Sequence, residues 1–344
     1  FSELGKGTWE RAIQCLYIDE VQDLTRAELQ VLFSMLNPDG MKRIAVAGDL
    51  SQSIQPSSFT WQALSTLIFE LLDIRVSKHA TLTENYRSTP YLVNAANYIL
   101  KLQGELDNEG TPVIQRPFAG ENTGEPGLVF FGDEEELIQE LERRELPNAA
   151  CPMLVRDKAT KERLKSEITN HAFIEPIANF KGLEKHNVLL WQPEGGSECV
   201  LDLRSDPVRG EQQRKNEFSE STALLELRHV FVAFTRSRHL MGIMAPKNER
   251  AYFLEKAIRE NESIIRADIE KIELFAGELS QEELHEYARE FLEAGRFQMA
   301  AESFRNIKDE YNYHYCMGRH CIELQEYDKA LDHLAKAKSI GGEH

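Results

Sequence analysis

Short apolar runs followed by longer amphipathic stretches mark the beginning of the chain. The run from Cys15 to Asp19 is apolar and ends in carboxylates, which predicts a short strand followed by a loop. Thr25 and Glu28 have the spacing of a capping box, in which each side chain bonds a backbone N–H of the other residue. We therefore predict a helix that opens after Thr25 and continues to Leu36.

The alternation of strand and helix patterns continues over the next two hundred or so residues. Arg43 to Ala47 form a second apolar run, and Trp61 to Leu72 have helical spacing. Further strand patterns cover 128–131, 152–155, 188–191 and 240–244, and further helical patterns cover 90–102, 134–145 and 223–233. Such alternation predicts the α/β class, with parallel sheets flanked by helices.

After about Arg266 the pattern becomes purely helical and repeats itself at an offset of 30 residues. The matching sets of small and large residues are Ala288, Ala300, Phe304 and Ile307 in the first copy, and Gly318, Ala330, Leu334 and Ala337 in the second. This all-α region resembles tetratricopeptide (TPR) repeats, whose usual length is about 34 residues. The resemblance implies a surface that binds a protein partner.

Composition and charge fit a globular protein without a broad cationic face. Of 344 residues, 42% are hydrophobic and 28% charged, and 40 basic against 57 acidic side chains give a net charge of −17. A length of this order predicts two or three domains. Since phosphate binding depends on basic side chains, any contact with nucleic acid must be confined to a local groove.

Cysteine usage and hydropathy indicate the compartment. The five cysteines are an odd number without a Cys-x-x-Cys pair, which favours a reducing environment, so we expect an intracellular protein of the nucleus or cytoplasm. No apolar stretch approaches the roughly 20 residues of a membrane helix, so no membrane contact is expected. The chain begins with Phe1 and lacks a signal-peptide pattern, and we interpret it as a piece of a longer protein.

The segment Tyr17–Asp23 presents carboxylates directly after a predicted strand. Open α/β sheets bind ligands at the carboxyl ends of their strands. Mg²⁺ prefers carboxylate and phosphate oxygens, and a neighbouring carboxylate can act as a general base toward water. The structural alternative is an ordinary acidic loop between a strand and a helix.

Four further segments follow in order. They are Ala47-Gly48-Asp49-Leu50-Ser51-Gln52-Ser53-Ile54, Leu82-Thr83-Glu84-Asn85-Tyr86-Arg87-Ser88-Thr89-Pro90, Lys181-Gly182-Leu183-Glu184 and Val232-Ala233-Phe234-Thr235-Arg236-Ser237-Arg238. With the acidic segment they resemble motifs of the UvrD/Rep type of superfamily 1 helicases, from about Gln14 to Met244. The resemblance implies part of a first RecA-like domain over residues 1–80, a second RecA-like domain over 81–265, and TPR-like repeats over 266–344.

The resemblance also implies ATP and Mg²⁺ as cofactors and gives roles to residues of the first domain. Asp19 would coordinate Mg²⁺, and Glu20 would activate the attacking water. Gln52 would hydrogen-bond that water or the γ-phosphate and sense its loss.

In the second domain the implied roles concern the nucleotide. Arg87 and Arg236 would reach the γ-phosphate, and Tyr86 would stack on the adenine. Glu184 would hydrogen-bond the ribose, while the turn at Lys181 and Gly182 would allow the backbone to approach the ligand or strand closely. Surface salt bridging is the structural alternative for both arginines.

Departures from the family pattern are informative as well. No Gly-x-x-x-x-Gly-Lys-Ser/Thr loop exists, because Gly5-Lys6-Gly7-Thr8 has the right letters in the wrong arrangement. We attribute this to N-terminal truncation, with a degenerate ATPase as the alternative. In either case we expect this chain by itself to hydrolyse ATP poorly.

The nucleic-acid contacts of the family are altered too. After Gln52 the usual aromatic-Arg-Gly-Ala run is missing, so Phe59 or Trp61 would supply the stacking surface, unless Trp61 begins a core-facing helix. Lys181 would contact the nucleic-acid strand. Lys185 and His186 follow Glu184 where the family favours an aromatic residue, and the short interval before Lys181 leaves no room for a large accessory insertion.

One cluster outside these motifs contains residues of zinc-ligand type: His314, Cys316, His320 and Cys321. Their spacing fits no standard finger, and Cys316 and His320 fall on one face of a predicted helix.

Taken together, the resemblance predicts a fragment of an ATP-dependent helicase or translocase that moves on single-stranded DNA or RNA. The fusion to helical repeats looks like that of TPR-and-ankyrin-repeat-containing proteins. The alternative is a catalytically inactive pseudo-helicase scaffold whose repeats bind a protein.

Overall fold

Two compact units make up the computed structural model, which describes residues 13–36, 43–53, 60–76, 80–106, 113–118, 124–168, 173–191, 224–246, 252–276 and 281–341. The first unit comprises Phe1–Glu84 and Leu100–Gln115, and the second comprises Asn85–Ile99 and Arg116–His344. The division expected from the sequence, at residues 80 and 265, stays a prediction.

In the first unit a parallel strand pair is combined with two helices. β1 (Cys15–Ile18) pairs with β2 (Arg43–Val46), and the helices are α1 (Arg26–Ser34) and α2 (Trp61–Leu72). The capping box of Thr25 and Glu28 is present and opens α1, as the spacing predicted. The buried side chains of these elements form one core: Ile18, Val21, Leu29, Phe33, Leu36, Leu64, Leu67, Ile68 and Leu72.

The second unit is built on a six-stranded sheet and a separate pair of short strands. The strands along the chain are β3 (Glu84–Asn85), β4 (Arg116–Pro117), β5 (Gly127–Gly132), β6 (Met153–Val155), β7 (Ile174–Pro176), β8 (Lys185–Trp191), β9 (Ser237–Pro246) and β10 (Ile264–Ala267). The six-stranded sheet has the order β10-β5-β9-β8-β6-β7, and its neighbouring strands are parallel. The pair β3 and β4 forms the small sheet.

Helices connect these parallel strands, as parallel pairing requires. They are α4 (Glu134–Arg143), α5 (Lys158–Glu167), α6 (residues 224–235) and α7 (Tyr252–Glu260), whereas α3 (Pro90–Leu106) lies between β3 and β4 along the chain. Central strands covered on both faces consist of consecutive apolar residues, and the side chains of β6 and the last four of β8 are all buried.

Four helices form the C-terminal region: α8 (Gln281–Glu293), α9 (Phe297–Asn306), α10 (Glu310–Glu323) and α11 (Tyr327–Gly341). Each is joined to the next by three residues, one of which has a positive φ: Gly295, Lys308 or Gln325. In each joint an N–H bonds the carbonyl five residues earlier, for example Arg296 to Phe291 at 2.8 Å and Glu326 to Cys321 at 2.8 Å. These joints are Schellman-type ends, and two of them recur at the 30-residue offset.

Small residues of the repeat lie at the helix contacts, as the sequence predicted. Ala288, Ala300 and Ala330 are buried. At Gly318 a Cβ would lie 2.6 Å from Leu334 Cγ, so α10 and α11 approach each other more closely than a side chain there allows. The predicted α/β class with a following helical region is confirmed.

None of the helices in the described residues is long and apolar enough to cross a membrane. The four described cysteines, Cys15, Cys151, Cys316 and Cys321, are unpaired.

Candidate nucleotide site

The acidic segment of the first unit begins where β1 ends. Asp19 is exposed, and its Oδ1 accepts a hydrogen bond from the Glu20 N–H at 2.9 Å. Glu20 adopts the left-handed conformation, with φ at 50°. A residue with a Cβ is strained there, and such strain is commonly found at functional positions. The turn thus carries two neighbouring carboxylates directly after the strand, and such hard oxygen donors suit Mg²⁺.

A buried glutamine joins this turn to the next one. Gln22 donates from Nε2 to Glu20 Oε2, while its Oε1 accepts from the Asp49 N–H at 3.1 Å. A Cβ on Gly48 would come within 2.4 Å of Gln22 Oε1, so only glycine permits this approach. The sequence patterns did not single out Gln22, which connects Glu20 with the second predicted segment.

Gln52 lies in the turn after β2, as expected, and its side chain is held in place. Its Nε2 donates to Asp49 Oδ2 at 2.9 Å, and Asp49 Oδ1 accepts from the Ser51 N–H. The structure therefore brings Glu20 and Gln52 into one network through Gln22 and Asp49. Trp61 is the half-buried first residue of α2, and its ring packs against the first unit's core. Phe59 lies outside the described residues.

In the second unit the segment Asn85–Thr89 forms a turn that is fixed to β9. Asn85 Oδ1 accepts from the N–H groups of Arg87 and Ser88, each at 2.9 Å. The Thr89 N–H donates to Arg238 O at 3.1 Å, and Ser88 Oγ donates to Ser237 O at 3.2 Å. Two of the five predicted segments are thus joined through one backbone and one side-chain hydrogen bond.

Glu184 is the point at which three predicted segments meet. Its Oε1 lies 2.7 Å from Arg87 Nη1, and its Oε2 lies 2.9 Å from Arg238 Nε. The Glu184 side chain is 16% exposed, whereas those of Arg87 and Arg238 are 49% and 59% exposed. One carboxylate therefore orders two guanidinium groups whose outer parts remain available to an anion.

Arg236 has different surroundings, because its side chain is buried. Nε donates to Val232 O at 3.1 Å, Nη2 donates to Thr235 Oγ1 at 3.0 Å, and Nη1 approaches Leu183 O at 3.4 Å. The Arg236 carbonyl in turn accepts from the Lys185 N–H at 2.9 Å. Arg236 thus ties the end of α6 to the loop that carries Glu184.

That loop turns at Lys181 and Gly182. Gly182 has φ at 82°, and nothing lies within 4 Å of the position a Cβ would take. The glycine is therefore required by backbone conformation and leaves open space beside the turn. Lys181 is half-buried, and its carbonyl accepts from Arg296 Nη2 at 3.3 Å.

An exposed aromatic pair includes Tyr86, the residue that precedes Arg87. The Tyr86 ring is next to the Phe118 ring, with centroids 4.6 Å apart and planes inclined by 37°. The two residues are 68% and 55% exposed, and the Phe118 N–H donates to Asn85 O at 2.9 Å. Exposed aromatic faces of this kind can stack on a nucleobase. Sequence reasoning had found Tyr86 and missed Phe118, which no motif contains.

Two stacked histidines lie on the adjacent strands β8 and β9. The rings of His186 and His239 have centroids 4.5 Å apart and planes inclined by 12°. Burial lowers the pKa of His186, and the nearby His239 and Arg238 lower it further. His186 is therefore mainly neutral at pH 7.

Among the residues that the structure describes, no three or more His, Cys, Asp or Glu side chains are placed to hold a metal ion. The residues of zinc-ligand type in the helical region have different surroundings. His314 Nδ1 lies 2.9 Å from His333 Nδ1, whereas Cys316 and Cys321 are buried in the helix packing. Burial raises the pKa of the Cys316 thiol to about 12, so this thiol is protonated at neutral pH.

Comparisons with known proteins give local similarities to helicases. No family model matches the chain. ATP-dependent DNA helicase PcrA, from two strains of Staphylococcus epidermidis, is 31% identical over 105 residues, which is 30% of this chain and 13% of PcrA. TPR and ankyrin repeat-containing protein 1 of Homo sapiens is 27% identical over 210 residues, which is 56% of this chain and 7% of the human protein.

Among solved structures, the C-terminal domain of a possible DNA helicase from Lactobacillus plantarum is 14% identical, with a TM-score of 0.31, and covers 53% of this chain and 98% of its own. The chain thus spans only a small part of the length of PcrA and of the human protein. Part of it is related in sequence to a DNA helicase.

Proposed function

We propose that this chain is part of an ATP-dependent helicase or translocase acting on single-stranded nucleic acid. The observation that carries the proposal is the placement of Glu184 between Arg87 and Arg238. Two half-exposed guanidinium groups, together with the exposed ring of Tyr86, the residue before Arg87, suit a ligand with a phosphate chain and a base, as in ATP. Local similarity to PcrA favours DNA over RNA as the strand.

The proposed roles are assigned to each unit by itself. In the second unit Arg87 and Arg236 would contact the γ-phosphate, Tyr86 the adenine and Glu184 the ribose. Contact by Arg236 requires its guanidinium to leave the carbonyls of Val232 and Leu183.

In the first unit Asp19 would hold Mg²⁺, Glu20 would accept the proton of the attacking water, and Gln52 would orient that water. When bound, the ion supplies charge neutralisation at the phosphates. Through its hydrogen bonds, the buried Gln22 holds the Glu20 side chain in a fixed position relative to the turn that contains Gln52.

Nucleic acid would bind in a local groove rather than on a broad surface, since the net charge is −17. Phe59 or Trp61 is proposed to supply stacking, and Lys181 a contact with the nucleic-acid backbone. The helical region is proposed to be TPR-like and to bind a protein partner, supported by the local similarity to the human TPR and ankyrin protein. A reducing compartment, nucleus or cytoplasm, agrees with four unpaired cysteines.

The test is nucleic-acid-stimulated ATPase activity of the native polypeptide, purified with whatever sequence flanks these 344 residues. We expect Glu20→Gln to lower turnover by at least about 100-fold while ATP affinity is retained, because the general base is lost and the binding groups are not. The matched control is Glu28→Gln, another exposed carboxylate of the same unit, which should leave turnover unchanged. Absence of stimulated turnover in the native polypeptide would contradict the proposal.

A catalytically inactive scaffold is the second candidate, favoured by the burial of Arg236, which is 3% exposed. A buried arginine that bonds the Val232 carbonyl and the Thr235 hydroxyl would stabilise the loop and never meet a phosphate. Under this hypothesis Glu20→Gln changes nothing, and the helical region carries the function by binding a protein.

A further inference from the structure

Lys185, the first residue of β8, is a buried cation at a place where the helicase resemblance leads one to expect an aromatic side chain. Its side chain is 1% exposed, and Nζ lies 2.8 Å from Glu290 Oε2. Nζ also lies 3.6 Å from the centroid of the Tyr287 ring and 4.7 Å from that of Phe291. All three partners belong to α8, so the positive charge of a sheet residue is neutralised by the helical region.

The other end of the same loop is also held by the helical region. Arg296, in the joint after α8, donates from Nη2 to Lys181 O at 3.3 Å. Between Lys181 and Lys185 the turn at Gly182 has open space around it. The loop that carries Glu184 is therefore fixed at both ends by α8 and its joint.

A buried aromatic seam keeps α8 in this position. The Phe291 ring stacks on Phe173, with centroids 5.1 Å apart, and meets the edge of Phe180 at 6.4 Å. Phe180 directly precedes Lys181, and all three rings are buried. The helical region is consequently packed into the second unit and is not a loosely attached module.

We propose that α8 positions Glu184 through Lys185, so that the helical region forms part of the nucleotide site and sets its affinity for ATP. The inference rests on the proposed role of Glu184 in nucleotide binding. Lys185, Glu290 and Arg296 are positioning residues in this scheme, because they act through the loop and do not touch the nucleotide.

The charges around Lys185 make the positioning of the loop depend on pH. Burial, with a smaller contribution from Arg238 on β9, lowers the pKa of Lys185 to about 8 against the opposing effects of Glu290 and Glu286 on α8. Raising the pH from 7 to 9 therefore discharges Lys185 and removes its ion pair. The loop should loosen over the same interval.

The experiment compares Glu290→Gln with Glu302→Gln in the native polypeptide. Glu302 pairs with Lys165 at 3.1 Å and likewise joins the helical region to the rest of the second unit, but this ion pair does not involve the loop. Hydrogen exchange of the peptide that covers 181–191, and KM and kcat for ATP, are measured for both. Arg296→Ala is the second variant, since this exposed residue can be removed without burying a charge.

We expect Glu290→Gln and Arg296→Ala to speed exchange in the loop and to raise KM about fivefold or more with kcat nearly unchanged, which is the low end of ordinary coupling between sites. Glu302→Gln should leave all three quantities as they are. In the wild type, loop exchange corrected for intrinsic rates should rise between pH 7 and pH 9, and Lys185→Met should abolish this rise.

Unchanged loop exchange in both variants, or faster exchange without a change in KM, would overturn the positioning role. If the wild type neither binds nor hydrolyses ATP, the proposed function fails and the coupling to ATP fails with it. Exchange and its pH dependence would then still decide whether α8 holds the loop.

Discussion

Glu20 shows how one residue can be both strained and fixed. Its positive φ costs roughly 1–3 kcal/mol for a residue with a Cβ. The conformation persists because Gln22, which is fully buried, bonds the Glu20 carboxylate on one side and the Asp49 N–H on the other. An ordinary solvated acidic loop has no need of such a buried contact.

At the residue scale the sequence predicted the side chains with recognisable motif positions, and no others. Asp19, Glu20, Gln52 and Glu184 could be proposed in this way, although the site assignment itself stays a prediction. Gln22 and Phe118 could not be found, because their importance lies in contacts with residues of other segments. Arg238 stood within a motif, yet only the structure pairs it with Glu184.

Substitution of Phe118 tests the aromatic pair. We expect Phe118→Leu to weaken ATP binding by about 0.5–1.5 kcal/mol, roughly two- to tenfold in KM, because Tyr86 loses the ring that holds it for stacking. The kcat value should not change, since the base takes no part in the chemistry. Steady-state kinetics of the native polypeptide provide the measurement.

Tyr327→Leu is the matched control, because Tyr327 on α11 is similarly exposed, at 62%. It should leave KM unchanged. An equal fall in kcat for Phe118→Leu, or no effect on KM, would show that the aromatic pair does not bind the base.

At the scale of elements, long or capped patterns were predicted well. The helix Trp61–Leu72 has the bounds that the periodicity gave, and the Thr25 capping box is present. β7 and β10 were missed, because the charged Glu175 in β7 and Arg266 in β10 interrupt their short apolar runs. Their place is set by pairing with β6 and β5.

The close approach of α10 and α11 can be tested at Gly318. We expect Gly318→Leu to destabilise the protein by about 1–3 kcal/mol, because even its Cβ would lie 2.6 Å from Leu334 Cγ. Urea unfolding followed by circular dichroism measures the loss. In the double variant, Leu334→Ala makes room for the larger side chain at position 318, so part of the lost stability should return. Additive losses of stability from the two substitutions would contradict the packing argument.

The histidine pair between α10 and α11 predicts a stability that depends on pH. Partial burial lowers the pKa of His333, and the neighbouring His314 and Lys336 lower it further, opposed by Asp332. The unfolded chain therefore takes up a proton that the folded chain resists. Stability from this group is complete at pH 7 and above and is lost as the pH falls from about 7 to about 5.

His333→Gln should flatten that part of the pH profile in urea unfolding at pH 7, 6 and 5. His314 also faces Glu310, whose Oε2 is 3.8 Å from Nε2, and this carboxylate moderates the effect. A profile equally steep in the variant would show that other groups cause the loss. The pKa values of His186 and His229 are lowered in the wild type and in the variant alike, so their effect on stability cancels in the comparison.

On the scale of the whole molecule, two hydrophobic cores predict unfolding in more than one step. The helical region should unfold with the six-stranded sheet, because Phe291 is buried against Phe173 and Phe180. We expect Phe291→Ala to lower the stability of the second unit by about 3–5 kcal/mol. Hydrogen exchange of peptides from both the sheet and α8 should report the same loss.

Leu67→Ala provides the comparison, since Leu67 is buried in the core of the first unit. Its cost of about 2–5 kcal/mol should appear in peptides of that unit alone. Loosening of α8 in Phe291→Ala with an unchanged sheet would mean that the helical region is a separate folding unit.

The sequence by itself determined the α/β class, the helical end of the chain and the order of five motif-like segments, because periodicity, capping and motif spacing are local properties. Only the tertiary structure decided which groups meet. Arg238 reaches Glu184 across 54 positions, and Glu290 reaches Lys185 across 105. Such pairs depend on how strands order in the sheet and how α8 packs on it, and that long-range packing leaves no periodic trace in the residues themselves.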